Sequence, residues 1–384
     1  MFLPVLQLRL LKDIVKSIDV KIRFELKQEG VSLKDGIFGN FTDDIHGRAL
    51  ERPGIGHICI LFSAVIFLFV LLGFRVQRNE FYSGVLITEF GLIMLPALIF
   101  LLVKKYNLTY VLRLNKAGFL NFLLIFLIMV FAIPVAGLFN LANLWLVNSI
   151  FGKVIVSQPP VAEDIGGLLV NILVIGGSAG LCEEFLFRGV IQRGFERFGA
   201  APSILLAAFL FSLTHLDFQK ILGTFVLGAL IGFIVYRSNS LYSGMFAHFT
   251  NNSLAVLMGF VFTKITGLMK DSGIQMPETE PDLSKYFQTL SQLPKMQLMI
   301  AAFFYGFVFL VILMIFVSLV YAFMKTTRGK AEAVRAVQTP ERSNRLLWLI
   351  PGLALIMGVY FIQVAKFHGV NGWFLEQVRM LLGA

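Results

Sequence analysis

The chain has 384 residues, 57% of them hydrophobic and 15% charged, with a formal net charge of +10 and a mean hydropathy of +0.80. Soluble domains carry about a quarter charged residues, so a polytopic membrane protein is expected and a soluble globular one is excluded. The apolar bulk lies in long runs, which excludes the short alternating segments of an outer-membrane barrel and predicts an all-α fold.

The positive charge would otherwise point to nucleic acid. Much of it falls in short segments flanking apolar runs, as in the loops of a membrane protein, so the bilayer and not nucleic acid is the expected partner. Cys59 and Cys182, both inside apolar runs, offer neither a disulfide framework nor a thiolate metal site. The first apolar stretch is broken by Arg9 and Lys12, so no cleavable signal peptide is expected.

In chain order, residues 1–56 mix apolar and basic residues at helical spacing and read either as an interfacial helix or as a soluble extension. Residues 57–165 hold the N-terminal transmembrane helices, with spans near 58–74, 81–103 and from 119 onward. The second span contains Glu89, which reads either as a functional carboxylate or, the favoured expectation, as a buried acid paired with an arginine of another helix. Pro134 is expected to kink or end the third span, and 140–160 to be interfacial.

Residues 166–262 form a core of four spans, near 166–187 with an amphipathic extension, 202–216, 221–236 and 241–262. Residues 263–384 supply a polar loop and two further spans, near 296–324 and 346–367, giving about nine transmembrane helices. Lysine and arginine are concentrated in alternate gaps, with nine in 1–56 and six in 325–345. This asymmetry predicts an integral protein of a plasma or inner membrane with a cytoplasmic N-terminus.

The chemistry converges on Gly176 to Arg188, GGSAGLCEEFLFR. Two adjacent glutamates at the end of an apolar run are costly in hydrocarbon and mark a function. Glu184 and Arg188 lie one turn apart and are predicted to form an i,i+4 ion pair. Glu183 is rotated away and has no partner in its own helix, so one glutamate is structural and the other is available for chemistry. Two of the five histidines, His215 and His248, lie on the apolar spans that follow.

Phe211 precedes His215 by one turn, and His248 precedes Asn252 by one turn, so each imidazole has a companion on its helix face. A carboxylate beside an imidazole can deprotonate water, and two donors aimed at one point can hold an oxyanion. Glycines at GxxxG spacing, Gly176 with Gly180 and Gly228 with Gly232, allow close helix approach.

EEFLFR (Glu183, Glu184, Arg188), FSLTH (Phe211, His215) and HFTNN (His248, Asn252) resemble, in order and spacing, the EExxxR, FxxxH and HxxxN motifs of the CAAX-protease and bacteriocin-processing family, also called Abi. That family includes the Ras-converting CAAX endopeptidases. The resemblance covers about 166–262 and implies a glutamate-type intramembrane endopeptidase acting on a membrane-associated or C-terminal protein or peptide segment. It implies that Glu183 and His215 activate water, that His248 and Asn252 form the oxyanion hole, and that Glu184, Arg188 and Phe211 support the site.

Three other readings compete. A zinc protease would use Glu183, His215 and His248, but HExxH and cysteine ligands are missing, so no metal and no cofactor is expected. A non-proteolytic scaffold would be expected to have lost a catalytic residue, and none is missing. A transporter would show Gly or Pro breaks in matched halves, and no such symmetry is evident.

Overall fold

The computed structural model describes residues 51–155, 160–272, 289, 292–330 and 343–369. The N-terminal segment up to residue 50 and most of the loop after residue 272 lie outside the described residues. Among the described residues the chain is helical and has no strand. In order the helices are α1 (Ile55–Asn79), α2 (Phe81–Val103), α3 (Phe119–Phe151), α4 (Ile165–Phe198), α5 (Ala200–Thr214), α6 (Phe218–Ser238), α7 (Leu241–Lys270), α8 (Lys295–Thr326) and α9 (Asn344–Phe367). Eight are long and apolar enough to cross a membrane, and this makes the chain an all-α polytopic membrane protein.

The ninth, α5, has 15 residues. At 1.5 Å per residue that is about 22 Å, short of the roughly 30 Å hydrocarbon core. The expected nine spans are therefore eight full-length helices and one short one. The shortness has a geometric use. Gly199, at φ +98, reverses the chain between α4 and α5 in a conformation open to glycine. As many residues separate Glu183 from Phe198 as make up α5, so α5 returns His215 to the level of Glu183.

Helix α4 is the centre of the bundle. Leu181, Cys182, Phe185, Leu186, Phe187, Val190, Ile191 and Phe195 form one core with side chains of α1, α2, α5 and α7. The amphipathic extension predicted after Arg188 is not a surface element, because Gln192, Arg193 and Glu196 are all buried. Their charges are paired inside the protein: Glu196 accepts from Arg193 at 2.7 Å and from Arg113, which lies between α2 and α3. Helix α9 packs on α1, and α8 packs on α3 while most of its apolar surface stays exposed.

Two boundaries differ from the sequence-based expectation. Helix α3 runs unbroken through Pro134 for 33 residues, so the proline does not end it. A proline removes one backbone donor, and a membrane helix packed on neighbours tolerates that loss. The stretch after 140, expected to be interfacial, is held to α6 as the Asn143 amide donates to the Phe218 carbonyl at 3.0 Å. Helix α7 continues past 262 to Lys270. Glu80 starts α2 by accepting the backbone N–H groups of Tyr82 and Ser83. The Ser83 side chain and these two N–H groups hold its carboxyl below the ordinary value.

The GxxxG glycines lie at the contacts that set helix spacing. A Cβ on Gly180 would be 3.1 Å from the Phe249 nitrogen and 3.2 Å from the Met245 carbonyl oxygen, both backbone atoms of α7. On α6 the carbonyls of Gly228 and Gly232 accept from Arg188 and Gln192 of α4. Gly180→Val is accordingly expected to push α7 off α4, at a cost of about 1–3 kcal/mol for an overpacked contact. A melting curve of the purified protein checks this, with Gly259→Ala, which meets nothing within 4 Å, expected to leave stability unchanged.

Candidate active site

The site forms where α4 meets α5, α7 and α2. Around the two glutamates α4 alternates between wide and regular turns: Ile172–Ser178 and Phe185–Ile191 are π-helical and flank the α-helical Ala179–Glu184. Single π turns within helices recur at functional sites because they re-aim side chains.

Glu184 and Arg188 form the predicted ion pair, Oε1 to Nη1 at 2.7 Å, with both side chains fully buried. Arg188 is held further by donating to the Gly228 carbonyl at 2.9 Å and by stacking its guanidinium on Phe211, 4.4 Å from the ring centroid. The same Glu184 oxygen lies 2.9 Å from His248 Nδ1. Because a carboxylate can only accept, Nδ1 is the donor in this contact and Nε2 is turned outward.

Glu183 is placed differently. Its side chain retains 17% exposure and its Oε2 lies 3.9 Å from His248 Nε2, beyond hydrogen-bond distance. The two adjacent glutamates thus occupy unlike settings: one is locked under an arginine and a histidine, and the other is left facing the histidine ring.

Phe211 organises both imidazoles. It meets His215 edge-on at 5.0 Å and His248 edge-on at 5.7 Å, and Phe187 closes its far side at 5.3 Å. His215 ends α5 with Nδ1 3.0 Å from the Phe211 carbonyl, so its Nε2 is the nitrogen open to the site. The chain then turns through Leu216 in the left-handed region at φ +49. A leucine holds that conformation at a cost of about 1–2 kcal/mol. Gln363 of α9 donates to the Leu216 carbonyl, so a helix outside the motif region holds the turn after His215.

Asn252 departs from its expected pose. Its amide donates to the Ile175 carbonyl of α4 at 3.3 Å, and its Oδ1 accepts from Asn251 at 3.0 Å. The shared helix face with His248 exists, but one of the two Asn252 N–H bonds is committed to α4. The other remains for a ligand.

The largest difference concerns Glu89. It is buried on α2 as expected, but its partner is not an arginine. It neighbours Glu183, and Oε2 of each is buried without a hydrogen-bond partner among the described residues, which adds a third acid to the site. The sequence carried a sign of this, since a lone carboxylate in a membrane span is a functional hypothesis by default. The sequence alone does not say which helix it faces.

No three His, Cys, Asp or Glu side chains among the described residues come together in a group able to hold a metal ion.

Residues 165–254 match the protein-family model described as Type II CAAX prenyl endopeptidase Rce1-like. No curated protein and no solved structure matches the chain.

Proposed function

We propose, from the match of residues 165–254 to the Rce1-like CAAX endopeptidase model, that the chain is a glutamate-type intramembrane protease. Its substrate is a membrane-associated or C-terminal protein segment, and it works without a metal. One observation carries the reading: Glu184 is consumed by Arg188 and His248, whereas Glu183 retains exposure and is bound to no cation within hydrogen-bond distance. A pair of adjacent acids built only for stability has no reason to leave one of them so.

In this mechanism a water held by Glu183 and the open Nε2 of His215 loses a proton to Glu183 as it attacks the scissile carbonyl. His248 Nε2 and the remaining N–H of Asn252 receive the negative oxygen that forms. Since His248 already donates through Nδ1, it must hold protons on both nitrogens to serve there. The Glu184 carboxylate is placed to balance that charge. Glu183 then returns its proton to the leaving amine and the carbonyl re-forms. Phe211 excludes water from the inner side of both rings, which strengthens each of these interactions.

The test is cleavage of tagged C-terminal peptides, prenylated and unprenylated, by the purified protein in detergent with and without a chelator. Cleavage that survives chelation is expected, and a preference for the prenylated peptides would assign the substrate. Loss on chelation would move the reading to a metalloprotease, and no cleavage of any peptide would favour a scaffold.

A further inference from the structure

The proposed machinery leaves one buried acid unused. Glu89 lies on α2, outside the matched residues 165–254, and is 7% exposed. Helix α2 is close to α4 at this height, as Cys182 Sγ lies 3.9 Å from Met94 Sδ. The titratable groups that face Glu89 are Glu183 and Cys182, both on α4, and neither is a cation. Glu89 Oε2 and Glu183 Oε2 are both buried and have no hydrogen-bond partner among the described residues, and a proton shared between the two neighbouring carboxyls would satisfy both.

Two carboxyl groups can hydrogen-bond each other only through a proton that one of them carries, since an ionised carboxylate only accepts. Two ionised groups at that separation repel strongly in a medium of low dielectric.

We propose that Glu89 is a positioning residue for Glu183: it keeps its proton, donates it to the Glu183 carboxylate, and fixes the direction in which that carboxylate meets water. This inference rests on the protease reading. Glu89 is the holder of the proton because, among the described residues, no cation interacts with it, whereas Glu183 faces His248. Among the described residues no other donor orients Glu183, as His248 Nε2 at 3.9 Å is too distant. A base whose orientation is unfixed loses rate steeply, so the hydrogen bond from α2 bears directly on turnover.

The experiment compares Glu89→Gln and Glu89→Leu with wild type, using the full chain in detergent. Infrared spectra are expected to show the carbonyl band of a protonated carboxylic acid in wild type at neutral pH. The band is lost in Glu89→Gln and retained in Glu163→Gln, a change at an exposed acid. The glutamine variant keeps an N–H donor to Glu183 and is expected to retain kcat within about threefold. The leucine variant keeps no donor and is expected to lose about 100-fold in kcat with KM little changed, the low end of what a positioned proton-transfer group contributes.

Absence of the band in wild type, its survival in Glu89→Gln, or a wild-type kcat in folded Glu89→Leu would overturn the proposal. Failure of the leucine variant to fold leaves the band and the glutamine variant to decide. Wild type that cleaves no peptide would sink the protease reading instead, and the band would still decide the pairing.

Discussion

Glu183→Gln is expected to lower kcat for peptide cleavage by about 10,000-fold, the upper end of what a general base contributes. That corresponds to about 5.5 kcal/mol of transition-state stabilisation. The loss is expected to be nearly all in kcat, because a glutamine of the same shape still fills the site and accepts the hydrogen bond from Glu89. Stability should change little. Glu183 forms no ion pair within hydrogen-bond distance and is the more exposed of the two adjacent acids, so the folded state does not depend on its charge. Paired measurements of kcat and of the melting temperature in detergent check this. Residual cleavage above about a tenth of wild type would remove Glu183 from the role of base, because even a weakly contributing base accounts for at least about 100-fold.

The contrast between the two glutamates was legible in the sequence, because it is local. The i,i+4 spacing of Glu184 and Arg188 fixes their neighbourhood whatever else the fold does, and the pair forms at 2.7 Å. The assignment of His215 and His248 to one site came from motif order, and the short α5 is the device that brings His215 level with Glu183. The contacts that sequence did not reveal are those between helices. Glu89 lies in a π-helical stretch, Ile87–Met94, where the 100° rule does not hold and side-chain direction cannot be projected. Its partner is 94 positions away on α4. Likewise nothing in HFTNN indicates that an Asn252 N–H is spent on the Ile175 carbonyl, since backbone acceptors carry no sequence label. Of the two outcomes expected at Pro134, the end of the helix does not occur, because a helix flanked by packed neighbours tolerates the lost donor.

Glu184→Ala is expected to cost about 3–5 kcal/mol of stability, the range for breaking a buried pair. Arg188 is fully buried, and without Glu184 its charge loses its one ion-pair partner within hydrogen-bond distance among the described residues, keeping the Gly228 carbonyl and the face of Phe211. The penalty belongs to the stranded cation, so Arg188→Met placed on the same background should recover most of it. Replacing a buried ion pair by apolar groups of similar size is often close to neutral. Activity should not follow stability. Glu184 Oε1 also orients His248 through Nδ1 at 2.9 Å and balances its charge, and the double variant restores neither. The expected pattern is therefore a low melting temperature and no cleavage for Glu184→Ala, then a near-normal melting temperature and still no cleavage for the double variant. Melting and cleavage measured on the same preparations separate the two roles. Recovery of cleavage together with stability would mean that Glu184 serves the fold alone and that His248 needs no carboxylate behind it.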